Sequence, residues 1–544
     1  MMILLSLSSS LSLFLMSIFM MNHNIFIYIK IPMLELFSFS SPISLILDWI
    51  SCLFMSTVMT ISSMILMFSL YYIPKNEHKQ FSLMLIMFIL SMMILIISNN
   101  LFFMLLGWDM LGMSSYILVI FYQNHTSSSC GSITLLSNRI GDILILLSIS
   151  NLMTQSMWEF NMNEKFSLIT MLFLMMAGCT KSAQFPFSAW LPMAMSAPTP
   201  ISALVHSSTL VTAGIYLMIR ISSNNYHPIT LLILMMISST TAIYASLSAN
   251  WEQDMKKIIA LSTLSQMAMM MFSISIMASS LAYFHMIIHA FFKSLMFMCA
   301  GIMIHESSYQ DMRMMSMNST NIPLIMTTLG ISNAALMGMP FTSGFLSKDI
   351  IIEKMITTKL ECLLTLMMIL SIGMTAMYSF RMLFISNKMI IKSMPNSSNH
   401  SNQKSNLPIM MMAPTAIMLG TLLSWMINPS QLLTFPNSFK KMILLMLIIG
   451  MMMGTLLSFN SFNFKSMGQS ALSLWFIHIM STKIMILSSP LMKMFSKNDK
   501  KWQEMYGPSK LFSMSMKMTT LPEMKKTYLM LIIMISLILL TMLK

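Results

Sequence analysis

The stretch from Lys181 to Pro200, KSAQFPFSAWLPMAMSAPTP, decides the fold. It is apolar enough to lie in a bilayer, yet it carries Pro186, Pro192, Pro198 and Pro200 and begins on a lysine. Each proline removes an intrahelical hydrogen bond. Non-helical backbone at membrane depth survives only where protein or a water-filled cavity satisfies it, so this break marks a polar interior. GMPFTSGFLSKD, from Gly338 to Asp349, repeats the arrangement with Pro340, Gly344 and Lys348.

Outward from these breaks, apolar runs of about 20 residues, enough helix to cross a hydrocarbon core of about 30 Å, recur from end to end. They fall near 2–21, 44–70, 80–98, 100–121, 130–151, 167–195, 200–221, 229–249, 255–277, 280–304, 322–357, 360–385, 407–428, 441–458 and 526–543. The chain is thus expected to be an all-α polytopic membrane protein of about fifteen transmembrane helices. The breaks fall at comparable places in two five-span blocks, 80–221 and 229–385, and paired broken helices of this kind point to an inverted-repeat transporter. Residues 1–79 then hold N-terminal helices and a connecting loop, and 386–485 peripheral helices.

The composition agrees. Of 544 residues, 56% are hydrophobic and 9% charged, with a mean hydropathy of +0.75; soluble chains carry about 25% charged residues. The net charge of +14 raises nucleic-acid binding, but there is no Lys/Arg cluster interleaved with aromatics on a soluble face. Half of that excess lies in the tail, where ten lysines from Lys483 to Lys544 stand against Asp499, Glu504 and Glu523. Lysines alternate with Met, Leu and Phe across 486–521, as in an amphipathic helix on the membrane surface, followed by an anchor helix over 522–544. Residues 469–485 read either as a sixteenth span or as the lead-in to the surface helix, the latter being the reading preferred. The five cysteines stand singly, in no spacing suited to zinc or an iron–sulfur cluster, so no redox centre or metal is expected in the chain. The first basic residue, Lys30, follows the apolar run Met2–Met21, which reads as a retained span rather than a leader.

Ionisable groups inside spans are functional candidates, because a Lys or Asp at mid-membrane costs about 2.5–3.5 kcal/mol even on lenient scales. Asp109 sits near the middle of its span, in LLGWDMLG, and Lys181 heads the first break. His285, His289 and Lys293, in YFHMIIHAFFKSLMF, are spaced i, i+4 and i+8; they stay within about 80° of one another and extend about 12 Å along a helix. Zinc is the rival reading of the two histidines, but the HExxH glutamate is missing. Neutral histidine both donates and accepts protons, so a relay fits better. Of Lys256 and Lys257, about 100° apart, Lys256 shares a face with Thr263 and Gln266 and is expected inside. His206 follows the prolines and is placed to line the first break. Arg139 and Asp142, at i, i+3 in NRIGD, are expected to form a structural pair. Lys348 beside Asp349 resembles the mouth of a path.

LLGWDMLGMSSY, LSNRIGD, KSAQFPFSAWLPMAMSAPTPISALVHSSTLVTAGIYLMIR, DMKKIIALSTLSQ, FHMIIHAFFKSLMFMCAG and GFLSKD, in this order, resemble the subunit 5 family of mitochondrial NADH:ubiquinone oxidoreductase (respiratory complex I), the antiporter-like subunits at the distal end of the membrane arm. The resemblance covers nearly the whole chain. It implies a proton pump of the inner mitochondrial membrane with a polar axis through Asp109, Lys181, His206, Lys256, His285, His289, Lys293 and Lys348. In the family an acid and the lysine of the first broken helix form a coupled pair, and the surface helix runs laterally along neighbouring antiporter-like subunits. NAD, FMN, iron–sulfur clusters and ubiquinone would belong to other complex I subunits. The 76 methionines resemble products of AT-rich animal mitochondrial genomes. The family commonly has Glu at the place of Asp109, one methylene longer, and a second span before the polar segment 22–43, which here would form an extended loop or hairpin. The competing expectations are a cation/proton antiporter of the bacterial multi-subunit type and a scaffold that has lost transport.

Overall fold

The computed structural model describes residues 2–36, 39–153, 159, 166–222, 227–315, 322–357, 362–387, 403–427, 437–459, 465–472, 477–499, 508–519 and 532–536. Two compact units divide the chain at Trp475 and Phe476. In the first unit helices run α1 (Met2–His23), α2 (Trp49–Tyr72), α3 (His78–Ile97), α4 (Leu101–Val119), α5 (His125–Met153), α6 (Leu168–Lys181), α7 (Leu210–Ser222), α8 (Pro228–Trp251), α9 (Met255–Ser275), α10 (Ser279–Ser307), α11 (Pro323–Met337), α12 (Ser343–Thr357), α13 (Cys362–Ser386), α14 (Gln403–Ile427) and α15 (Asn437–Phe459). Among the described residues, twelve helices are long and apolar enough to cross a membrane, and α6 and α11 are shorter apolar helices that stop at the two breaks.

Burial is arranged as lipid requires. Large apolar side chains point outward at helical spacing, such as Phe102, Leu106, Met110, Met113 and Ile117 on α4, while serines, threonines and the ionisable groups are gathered inside. Three segments are enclosed over an 18-residue stretch: Thr199–Ile221, α9 and α10. α10 is the axis. It packs against α2, α9, α11, α12, α14 and the segment following the first break. The breaks fall in the fourth span of each five-span block, after α6 in the first and between α11 and α12 in the second.

The polar segment between α1 and α2 forms an antiparallel hairpin of β1 (Ile27–Leu36) and β2 (Phe39–Leu47), the one departure from an all-helical chain among the described residues. It is fastened by Lys30 to Glu159 at 2.9 Å, and Asp48 at its end takes the Arg220 guanidinium at 2.5 Å. The second unit contains two amphipathic helices, Ile477–Lys497 and Pro508–Thr519. Residues 477–485 thus continue into the same helix as 486–497. Residues 500–507 and most of the expected anchor over 522–544 lie outside the described residues.

Gly344 opens α12 where its α-carbon faces the Ala335 carbonyl so closely that a Cβ has no room. Gly344→Ala is expected to cost on the order of 1–3 kcal/mol through overpacking and to reduce the amount of assembled protein on native gels. Gly330→Ala, where nothing lies within 4 Å, is expected to leave that amount unchanged.

Candidate proton-translocation site

The first break ends α6 at Lys181 because Pro186 has no N–H to offer the Ser182 carbonyl four residues earlier. The Gln184 side-chain amide donates to that carbonyl instead, at 3.3 Å, and the Trp190 indole N–H donates to the Thr180 carbonyl at 3.0 Å. Lys181 is fully buried. Its amine donates to the Trp108 carbonyl of α4 at 3.1 Å and lies 5.0 Å from the centre of the Trp108 ring, so a carbonyl dipole and an aromatic face both support its positive charge.

Asp109 is not bonded to Lys181. Trp108 takes the place facing the lysine, and the next residue on a helix points about 100° away. Asp109 therefore turns toward Arg139, 3.5 Å from its guanidinium, with 35% of its side chain exposed, and is not enclosed as a mid-span acid was expected to be. Asp142 is 3.3 Å from the same guanidinium and 9% exposed. Asp142 is the more enclosed of the two acids. The expected separate pair, Arg139 with Asp142, is thus part of a four-membered cluster in which one guanidinium bridges two carboxylates beside one buried amine.

Beyond Pro198 and Pro200 the backbone resumes as a π-helical segment, Ser202–Thr209, a wide turn found mostly at functional sites. His206 lies on it, buried, with its ring centre 6.2 Å from that of Trp190. Neither ring nitrogen has a protein partner among the described residues.

Lys256 connects the blocks. It is the buried member of its pair, and its amine donates to the Ala197 carbonyl at 3.2 Å. That carbonyl is free because Pro200 lacks an N–H and the Ile201 N–H is held by Pro198 at 3.0 Å. Lys257 points outward to Asp254 at 2.8 Å.

On α10 the stripe is continuous and buried. His285 Nδ1 lies 2.8 Å from the Ser347 hydroxyl and Nε2 3.3 Å from the Gln266 amide oxygen. The His285 and His289 ring centres are 6.3 Å apart, and the Lys293 amine donates to the Ser262 hydroxyl. At the second break Pro340 deprives the Leu336 carbonyl of its helical donor, and the Lys348 amine supplies one. Asp349 beside it is half-buried. Ser347, next to Lys348 on α12, ties the second break to the stripe through His285.

The family description NADH:quinone oxidoreductase/Mrp antiporter matches residues 98–375. The N-terminal and C-terminal families of NADH dehydrogenase (complex I) chain 5 match residues 34–82 and 378–543. NADH-ubiquinone oxidoreductase chain 5 of Anopheles gambiae is 39% identical over 530 residues, covering 92% of this chain and 90% of that one. The Locusta migratoria protein of the same name is 41% identical over 510 residues, covering 88% of each. This chain belongs to the NADH-ubiquinone oxidoreductase chain 5 family. A chain in the Mrp complex from Dietzia sp. DQ12-45-1b shares the fold, with a TM-score of 0.75 at 20% identity over 96% of this chain and 61% of that one.

Several of the polar groups that hold this chain 5 family site together carry no motif of their own: the Trp108 and Ala197 carbonyls, Ser262, Ser347 and Gln184. Only their partners' positions in the fold reveal them. Asp142 was visible in NRIGD, but its closeness to Lys181 depends on how α5 packs on α6. Asp142→Asn is expected to reduce NADH-driven proton pumping more than Asp109→Asn, because it removes the more enclosed of the two carboxylates on Arg139. Lys257→Met is expected to pump normally while Lys256→Met does not. Proton uptake or release per NADH oxidised in the assembled enzyme checks both comparisons.

Proposed function

We propose that this chain is a proton-translocating subunit of the membrane arm of NADH:ubiquinone oxidoreductase in the inner mitochondrial membrane, moving protons while other subunits carry electrons from NADH to ubiquinone. The supporting observation is the succession of ionisable groups along two helix breaks, from the half-exposed Asp109 and Arg139 to the buried Asp142, Lys181, His206, Lys256, His285, His289, Lys293 and Lys348. Such groups are costly to bury and mark proton relays in pumps.

The chemistry of these residues suffices for proton transfer. A buried amine is held as an ammonium by a carbonyl or carboxylate, and once that partner's influence weakens the neutral amine becomes favoured. Lys181 would load when Asp142 is ionised and nearby, and release toward His206 when Arg139 draws the carboxylates away. His206, His285 and His289 each offer a donor and an acceptor and would pass the proton between lysines. Lys348 with Asp349 would form the opening to one membrane face. NAD, FMN, iron–sulfur clusters and ubiquinone would reside in the other complex I subunits, and the basic helices of 477–519 would lie against membrane lipids and neighbouring antiporter-like subunits.

A cation/proton antiporter of the multi-subunit type is the second reading, favoured by the shared fold with the Mrp chain. A stable native complex without flavin or iron–sulfur partners would support it. For the leading reading, Lys181→Ala and Lys293→Ala are expected to abolish most proton pumping in the assembled enzyme. Normal proton-to-electron stoichiometry in either variant would remove that lysine from the path.

A further inference from the structure

α13 carries a polar face that the path above does not use. Ser371, Thr375, Tyr378 and Arg381 are all buried, at spacings that place them on one side of the helix, while Leu363, Leu366 and Leu370 in its first turns are exposed. A buried arginine in a span is costly unless its donors are met. Arg381 uses its Nη2 group on the Ala249 carbonyl, at 3.1 Å, and on the Glu252 carbonyl, at the end of α8 where helical carbonyls lack partners. Its Nε hydrogen is accepted by no atom among the described residues.

One turn earlier, about 4.5 Å along the axis, the Tyr378 hydroxyl is buried without a hydrogen-bond partner among the described residues. It faces Ser265, Ser262 and Gln266 of α9. Two of these already hold members of the stripe: Ser262 accepts from the Lys293 amine, and Gln266 holds His285. Tyr378 therefore stands beside the α9 residues that hold two members of the stripe, where α13 packs on α9. Beyond Arg381 lies a charged membrane-surface patch: Glu252, the Asp254–Lys257 pair at 2.8 Å and the Asp311–Arg313 pair at 2.6 Å.

We propose that the seam between α9 and α13 is a second proton route, running from the charged surface at Glu252 past Arg381 and Tyr378 to the Ser262–Lys293 and Gln266–His285 contacts. It rests on the proton-pumping reading and adds to it a direct connection between the middle of the stripe and one membrane face. The Tyr378 hydroxyl both donates and accepts, so it passes a proton without keeping charge. Arg381 stays protonated; its fixed charge sets the potential at the opening and holds the α8–α9 turn in place, which makes it a positioning residue. The fifth span of the first block places His206 after its break, and the fifth span of the second block places Tyr378 after the other.

Two measurements on the assembled enzyme in sealed membranes test the route. Tyr378→Cys and Thr375→Cys are expected to react with a small, charged, water-soluble thiol reagent from one face only, while Ala376→Cys, packed on α15, does not react. Tyr378→Phe, which keeps the ring, is expected to lose most proton pumping per electron while uncoupled NADH oxidation continues. Cysteines at 378 and 375 that are unreactive from both faces, or normal pumping by Tyr378→Phe, would overturn the route. Lys293→Ala measured alongside separates the two ideas. If it loses pumping and Tyr378→Phe does not, the route fails and the pump stands. If both pump normally, the pumping reading of the stripe fails as well.

Discussion

Backbone carbonyls stranded inside a membrane are the constraint on which the rest of the structure depends. A helix satisfies its own polar groups, and lipid offers nothing to those it leaves over. Here prolines strand carbonyls at defined depths, and the chain answers with side chains. Lysine amines take two of them, Lys348 at Leu336 and Lys256 at Ala197, and the Gln184 amide takes a third. A lysine on a carbonyl is weakly held compared with one on a carboxylate, since hydrogen-bond acceptance by a neutral dipole lacks the full Coulomb attraction of an ion pair. The backbone is thereby satisfied while each amine remains free to change protonation when a neighbouring charge moves.

Lys181 combines both kinds of support. Its amine rests on the Trp108 carbonyl and ring, and its charged neighbours are two carboxylates sharing one arginine. Arg139 is the exposed member beside the enclosed acid, 39% exposed in its side chain where Asp142 is 9% exposed.

Much of this was legible in the residues. Prolines and glycines located both breaks, and the rule that charge in a span is expensive identified the lysines and histidines. The i, i+4, i+8 spacing placed the α10 stripe on one face, and the company of Thr263 and Gln266 turned Lys256 inward. What escaped was set by packing between distant segments. The family resemblance implies Asp109 as the partner of Lys181, but Lys181 rests on Trp108 and Asp109 lies beside Arg139. Asp142 read as a local partner of Arg139 because i, i+3 spacing explains that pair without α6. Tyr378 and Arg381 could have been found by the same charge-in-a-span rule, since FRMLF lies within the span at 360–385; their relation to Ser262 and Gln266 depends on how α13 packs against α9. The segment 22–43 was expected as an extended loop or hairpin, and the structure supplies the strands, their register and the Lys30–Glu159 ion pair.

The central claim is that the amines at the breaks must release protons, beyond carrying charge and satisfying carbonyls. Arginine keeps both of the latter roles but does not deprotonate in a protein. The proton-to-electron ratio of the assembled enzyme bearing Lys348→Arg tests the claim most directly. The account predicts a clear loss of pumped protons although positive charge and a donor to the Leu336 carbonyl remain; an unchanged ratio would contradict it.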